Sequence, residues 1–198
     1  TITIPASRMA LRIAPIIIYG AFLMTSVLFP CLTDAAPESG EFILAENGHS
    51  CCTIVVNHGS YPSAEAASRA SDKVNWFDSD LTDDTICTES FAAVELHRYL
   101  CAIAGLDPND RTAFPIASDR ADVTGNIIIV GSEISNSRTG AFKRELDFQR
   151  GPVPVPGPEG FRIKTVKADG GYTLLIAGFD RVGTLYGVYD FLNLLGVR

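Results

Sequence analysis

The residues of this 198-residue chain that could do chemistry are few, and none of them completes a catalytic pattern. Gly131-Ser132 follows a strongly apolar run, and the ends of buried strands are where α/β enzymes hold nucleophiles and phosphate loops. The nucleophile motif Gly-x-Ser-x-Gly and the glycine-rich phosphate-binding motifs are both missing around this serine. The prediction for Gly131-Ser132 is therefore a plain strand-to-loop turn, and a small hydrolase using Ser132 is the weaker alternative.

Metal-binding patterns are also incomplete. His49, His58 and His97 do not have the spacing of zinc ligands, and the chain has no Cys-x-x-Cys pair. Glu95 and His97 lie two residues apart on a predicted helix, so their side chains point in different directions. The acidic segment 78–84 lacks the spacing of a calcium-binding EF-hand loop, which favours a solvated loop. The sequence thus predicts no catalytic residue, no cofactor and no metal site.

Trp76 is the strongest apolar residue in the polar segment 58–84. An exposed tryptophan can stack on a sugar ring, and a buried one can anchor a loop to the core. The anchor is the preferred interpretation, and a carbohydrate-binding surface formed by Trp76 and the acidic segment is the alternative.

The N-terminal residues have the pattern of an export signal. Arg8 and Arg12 precede the almost uncharged run 13–32, and small residues follow it up to Ala35. We interpret residues 1–36 as a signal peptide cleaved after Ala35, which predicts a secreted, periplasmic or cell-surface protein with no membrane contact after cleavage. A retained membrane anchor is the alternative, because the run is close to the length that spans a bilayer.

Cleavage after Ala35 leaves four cysteines in an oxidising compartment, where disulfides are common. Four cysteines allow three pairings, which the spacing does not separate. Cys101 also fits a buried free thiol on the apolar side of a helix. The candidate disulfide residues are Cys51, Cys52, Cys87 and Cys101.

The overall charge limits the partners. The formal net charge is −7, and lysine and arginine are scattered along the chain without a basic cluster. Nucleic acids and anionic membranes require a concentrated basic surface. The composition therefore argues against both as partners.

The predicted elements describe a mixed sheet covered by helices. Asn47-Gly48 predicts a tight hairpin between strands at 41–45 and 52–57. A helix over 88–105 would begin at an N-cap Thr88 and end at Gly105. The apolar run 126–130 predicts a strand buried on both faces, and alternation within 160–178 predicts a second hairpin. These elements indicate one α+β domain over 37–198, with an insertion at about 58–84.

The last predicted helix, at 184–195, is apolar around most of its circumference. One small domain covers only one side of such a helix well, so a second domain is the expected partner on the other side. The predicted interface residues are Leu185, Tyr186, Tyr189, Phe191 and Leu194.

Several of these segments resemble a known domain. They are the helix 91–105, the strand motif NIIIVG at 126–131, EGFRI at 159–163, LIAG at 175–178 and the run RVGTLYGVYDFLNLLGVR at 181–198. Together they resemble the N-terminal accessory domain of glycoside hydrolase family 67 α-glucuronidases, and more loosely the domain before the barrel in family 20 β-hexosaminidases. The likeness covers about 41–198, apart from the insertion.

The resemblance implies an α+β layer that packs on the side of a (β/α)8 barrel, and it implies that the catalytic carboxylates lie in that barrel. No barrel is present in this sequence, so no catalytic residue can be assigned by the likeness. The expectation is a fragment of a longer secreted enzyme that acts on glucuronic acid branches of xylan. A free-standing module that binds carbohydrate or protein is the alternative.

Overall fold

The chain has an α+β fold in the computed structural model, which describes residues 11–13, 42–168 and 170–198. A small antiparallel sheet of three strands precedes a mixed sheet of five. The strands of the small sheet are β1 (Leu11–Ile13), β2 (Phe42–Glu46) and β3 (His49–Ser50). Those of the main sheet are β4 (Cys52–Val56), β5 (Ile116–Ser118), β6 (Asn126–Val130), β7 (Phe161–Ala168) and β8 (Gly171–Gly178). The predicted fold class is confirmed at this level.

The hairpin of the small sheet turns where the sequence predicts. Asn47 and Gly48 have φ angles of 52° and 77°, the left-handed conformation that a tight two-residue turn needs. Strand β1 lies inside the predicted signal peptide and pairs antiparallel with β2. The other residues of the predicted signal peptide lie outside the described part of the chain.

The predicted second strand of this hairpin is wrong. The short strand β3 pairs with β2, whereas β4 leaves the hairpin and enters the main sheet parallel to both β5 and β6. The composition of β4 explains the difference, because Ile54, Val55 and Val56 are all buried. A strand with apolar side chains on both faces suits the centre of a covered parallel sheet.

The main sheet has the strand order β5-β4-β6-β8-β7. The first four strands are parallel, and β7 pairs antiparallel with β8 as the predicted second hairpin. Strand β6 is central, with Ile127 to Val130 buried, which confirms its prediction as a doubly covered strand.

Five helices accompany the sheets in the described residues: α1 (Ala64–Ser68), α2 (Thr82–Ala104), α3 (Ser137–Ala141), α4 (Lys143–Leu146) and α5 (Arg181–Leu194). Helix α2 begins at Thr82, so the predicted start at Thr88 is wrong. Asp83 and Asp84 stand in its first turn, where carboxylates favour the positive end of the helix dipole. Gly105 ends α2 in the left-handed conformation, as predicted.

The helices cover both faces of the main sheet. On one face α2 and α5 pack on the sheet through a large cluster that includes Leu96, Leu100, Val188 and Leu192. On the other face Leu146 of α4 and Phe148 pack against Val55, Ile129 and neighbouring residues. The connection from β4 to β5 therefore runs over the first face, and that from β6 to β8 runs over the second.

Helix α5 is held close to the end of β8. A Cβ atom on Gly178 would lie 2.1 Å from the amide nitrogen of Thr184, so only glycine allows this approach. Asp180 caps the helix, since its Oδ1 accepts from Gly183 N at 2.8 Å and its Oδ2 accepts from Glu159 N at 2.9 Å. The loop before β7 and the start of α5 are thus joined through one carboxylate.

Candidate functional site

The candidate site is a crevice at the carboxyl ends of the parallel strands. The connections leaving β4 and β6 diverge to opposite sides of the sheet, and ligands of open α/β sheets bind where neighbouring strands diverge in this way. A cavity of about 510 Å³ opens there, which is within the range of small-molecule sites. It is lined by Asn57, Leu81, Thr82, Thr85, Ile86, Ser132, Ile134, Ser135, Arg150, Phe179, Asp180 and Arg181.

A buried carboxylate supports the floor of the crevice from below. Glu89 of α2 is fully buried, and its Oε1 accepts from Ser132 N at 2.9 Å and from Thr184 Oγ1 at 3.1 Å. Its Oε2 accepts from Ser135 Oγ at 2.6 Å. Through one side chain, α2 is thereby tied to the loop after β6 and to the first turn of α5.

Burial raises the pKa of Glu89 to about 7, against the lowering effect of its three hydrogen bonds, and the nearby Asp119 adds to the rise. Loss of hydration disfavours the charged form, and hydrogen bonds donated to the carboxylate favour it. Glu89 does not line the cavity, so its chemistry is that of a positioning group.

The loop after β6 fits closely over this carboxylate. Gly131 has a φ of 140°, and a Cβ atom there would lie 3.0 Å from Glu89 Oε2 and 2.9 Å from Asn136 Cβ. Asn136 closes the turn, because its Nδ2 donates to Val130 O at 3.0 Å while its Oδ1 caps α3. The close approach of the loop to Glu89 requires glycine at position 131.

Ser132 lies on the crevice floor, so the prediction of a plain turn at Gly131-Ser132 is incomplete. Its Oγ is within 2.8 Å of Ser135 Oγ and accepts from Ser135 N at 3.1 Å. A serine nucleophile needs a neighbouring base that takes its proton. Among the described residues, Ser132 Oγ contacts Ser135 Oγ and the backbone amides of Ile134 and Ser135, none of which is a base. This geometry favours binding over nucleophilic chemistry.

The first of two arginines in the crevice is Arg150. Its Nε donates to Glu133 Oε1 at 2.8 Å, and its Nη2 donates to Phe179 O at 2.7 Å. Its guanidinium lies 4.0 Å from the ring centre of Phe179, at cation–π distance. These contacts fix the guanidinium plane while leaving part of its five donors unused.

The second arginine, Arg181, opens α5. Its Nη2 lies 2.9 Å from Oδ2 of Asp84, whose side chain is only 1% exposed. The guanidinium also lies 6.0 Å from the ring centre of Trp76. The same side chain therefore balances a buried carboxylate and connects the crevice to the segment around Trp76.

Large apolar side chains are exposed in this region. Ile134 and Leu81, which line the cavity, are 74% and 56% exposed. Trp76 is 41% exposed, and its neighbour Phe77 is 97% exposed. The indole Nε1 of Trp76 donates to Ser71 O at 3.1 Å, which holds the ring in place. Trp76 is thus pinned at one edge while much of its surface remains available.

The acidic segment before α2 is used within the chain itself. Asp78 Oδ1 accepts from Asp80 N, and Asp80 Oδ1 accepts from Thr82 N, so these two carboxylates shape the turns that lead into the helix. The predicted solvated loop holds for them, and Asp84 is the exception because it is buried. The described residues contain no group of three or more side chains that could hold a metal ion.

The four candidate disulfide cysteines are not bridged in the part of the chain that the structure describes. Cys51, Cys52, Cys87 and Cys101 are all free thiols. Cys87 and Cys101 lie on one helix about 21 Å apart along its axis, from the rise per residue. Cys52 contacts Leu44 O, and Cys101 lies among His97 and Ala113. Burial raises the pKa of the Cys101 thiol, so the alternative of a buried free thiol fits it.

The predicted interface residues divide between the core and the surface. Phe191 is only 3% exposed and belongs to the main core, which removes it from the outward face of α5, and Leu185 packs against the same core. Tyr186, Tyr189 and Leu194 are exposed. The outward face of α5 therefore carries two tyrosines and one leucine together with the exposed Asp190 and Asn193.

Helix α2 extends this exposed face. Glu89 contacts Thr184, and the later residue Glu95 contacts the later residue Tyr189. Helices α2 and α5 therefore run in the same direction. Phe91 of α2 is 40% exposed and lies between Glu89 and Glu95 in the sequence of the helix. We call Phe91, Tyr186, Tyr189 and Leu194 the aromatic face.

Comparison with protein-family models gives no match, and comparison with curated proteins gives no significant match. Among the described residues, no helix is both long and apolar enough to span a bilayer.

Proposed function

We propose that this chain is the non-catalytic N-terminal domain of a secreted, α-glucuronidase-like glycoside hydrolase that takes part in xylan breakdown. The aromatic face carries this proposal, since it offers an apolar surface for a second domain beside the core. Two tyrosines and a phenylalanine are residue types enriched at protein interfaces. The α+β class and the resemblance of the segments at 91–105 and 159–198 support the same assignment. Export by the N-terminal signal is part of the proposal.

The aromatic face should bind a dye that reports exposed apolar surface. We expect the protein to enhance 8-anilinonaphthalene-1-sulfonate fluorescence or to self-associate, because exposed apolar side chains in water favour both. The double variant Tyr186→Ser/Tyr189→Ser should lose most of this signal. Tyr61→Ser, in the segment 58–84 and outside the aromatic face, serves as the control. A monodisperse protein that binds no dye would contradict the docking role.

Activity should be absent in the chain alone. We expect no turnover of aryl glucuronides or aldouronic acids, because the resemblance assigns the catalytic carboxylates to a barrel. The measurement is product release at high protein concentration, with a commercial α-glucuronidase as the positive control. Measurable turnover that survives repurification would overturn the non-catalytic assignment.

The second candidate is a free-standing module that binds carbohydrate or protein. The exposed rings of Trp76 and Phe77 favour it, because aromatic side chains that project into solvent provide stacking surfaces. The gene region after the codon for Arg198 distinguishes the candidates. About 250 further codons with barrel periodicity would favour the accessory domain. A stop codon would favour the module.

A further inference from the structure

The electrostatics of the crevice limit the kind of ligand that fits it. Arg150 and Arg181 bring two positive charges, and each is already paired with a buried acid, Glu133 and Asp84. Asp180 adds a negative charge that is held by two backbone donors at the start of α5. The five groups together carry a formal charge of about −1. The protein as a whole carries −7.

An anion would therefore enter this crevice without a net electrostatic gain. A phosphate would bring about two further negative charges to a group that already carries about −1, and the overall field of the protein would repel it. A cation would face the two guanidinium groups that line the walls, because their paired acids lie outside the lining. The ligand that suits this arrangement is one without net charge.

The hydrogen-bonding groups of the crevice suit an uncharged ligand that both donates and accepts. Guanidinium groups offer planar donors, the hydroxyl of Thr82 works in either direction, and the Asp180 carboxylate accepts. The site thus combines donors with acceptors instead of collecting one kind.

The remaining walls are apolar. Leu81, Ile86, Ile134 and Phe179 line the cavity beside the polar groups. A sugar ring has this same division, with hydroxyls at its edge and C–H groups on its faces. Arg181 lies against Trp76, whose exposed ring extends the apolar surface at this end.

We propose that the crevice at the ends of β4 and β6 binds an uncharged sugar, with Arg150 and Arg181 donating to its hydroxyls and the apolar walls covering its ring. The inference stands apart from the accessory-domain proposal, because the crevice and the aromatic face involve different residues. It assigns the carbohydrate contact of the second candidate to a defined cavity.

The test is titration calorimetry with four probes: D-glucose, cellotriose, D-glucuronate and inorganic phosphate. We expect saturable binding of glucose or cellotriose, with phosphate giving none. Tighter binding of cellotriose would indicate the end of a chain, and equal binding would indicate a single ring. Binding of glucuronate or phosphate in the absence of glucose and cellotriose binding would overturn the proposal, as would no binding at all.

The matched variant is the double substitution Glu133→Gln/Arg150→Gln. It removes the guanidinium fork together with its paired charge, so no buried charge is left alone. We expect the dissociation constant for the sugar to rise about tenfold or more, from loss of a hydrogen bond donated by a charged group. Arg144→Gln, on the exposed side of α4, should leave it unchanged. An unaltered constant in the double variant would refute the assignment.

Amide chemical shifts in the unmodified protein provide a second readout that does not depend on the variant folding. Adding the sugar that binds should shift the amide signals of Ser132, Ile134 and Arg181, and should leave those of Phe91 and Tyr189 in place. Shifts confined to the aromatic face would contradict binding in the crevice and leave the docking proposal intact.

Discussion

Replacing Arg181 with methionine should lower the free energy of unfolding by about 3 kcal/mol, the lower end of the range for breaking a buried ion pair. Arg181 is the cationic partner of Asp84, whose side chain is 1% exposed and whose Oδ1 has no hydrogen-bond partner among the described residues. Removal of the guanidinium leaves that carboxylate buried and uncompensated. The low end of the range applies because the Arg181 side chain is 25% exposed. Water can therefore replace part of the interaction that Asp84 loses.

Chemical denaturation of Arg181→Met at pH 7 measures this effect. The double variant Asp84→Asn/Arg181→Met should recover more than half of the loss, since it removes the unpaired charge. The control is Arg98→Met, whose pair with Glu95 is surface-exposed on the arginine side at 57% and should change stability by less than about 1 kcal/mol. If Arg181→Met and Arg98→Met lowered the free energy of unfolding equally, burial of Asp84 would not contribute to the cost of losing its partner.

The stability of the protein should fall as the pH rises from about 4.5 to 7, through the contribution of Glu89. Its pKa in the folded state is about 7, above the 4.5 of an ordinary glutamate, so the folded state binds more protons than the unfolded state in this window. Below pH 4.5 the carboxyl group is protonated in both states and does not lower the stability. Above pH 4.5 the unfolded state loses this proton first, so the free energy of unfolding decreases. At 1.36 kcal/mol per unit, the cost above pH 7 reaches about 3 kcal/mol.

Glu89→Gln tests this linkage. The amide keeps an acceptor for Ser132 N and Thr184 Oγ1 but carries no charge, so the variant should gain about 3 kcal/mol relative to the unmodified protein between pH 4 and pH 8. The difference between the two denaturation curves cancels the titration of all other groups. Glu145→Gln on the exposed side of α4 is the control and should show no such pH-dependent difference. A constant difference across the range would disprove the assignment to Glu89.

The sequence predicts elements well where one pattern decides them. The short apolar run of β6, bounded by turn-forming residues, is typical of a covered strand, and Asn47-Gly48 has few alternatives to a tight turn. Prediction fails where local signals allow two structures. The residues before Thr88 resemble an acidic loop, yet Asp83 and Asp84 are well placed in a first helical turn, and Arg181 supplies the charge that makes burial of Asp84 tolerable.

The crevice shows a stronger limit of sequence reasoning. Glu89 stands between a threonine and a serine, which is typical of an exposed helical position, and its partners Ser132, Ser135 and Thr184 are 43 to 95 residues away. Only the tertiary structure brings them together. The one available signal was Gly131-Ser132 at the end of a buried strand, which does mark the floor of the crevice. Arg150 belongs to no recognisable sequence motif, so the sequence does not identify it as a residue of the crevice.

The residues that carry the family resemblance have architectural roles in this chain. Gly178 allows α5 to approach β8, and Asp180 ties the EGFRI loop to the start of α5. Arg181 secures the first turn of α2. A motif built on such positions identifies a way of folding.

The two edge strands of the main sheet affect the aggregation of the protein at high concentration. Strand β5 has three residues, and β7 carries Arg162, Lys164 and Lys167 along its length. Short edge strands and positively charged side chains disfavour the pairing of strands from other molecules with a sheet. Fibre growth through β-sheet extension is thereby disfavoured. Any clusters formed at high concentration should keep the β-content of the monomer and disperse when the aromatic face is altered.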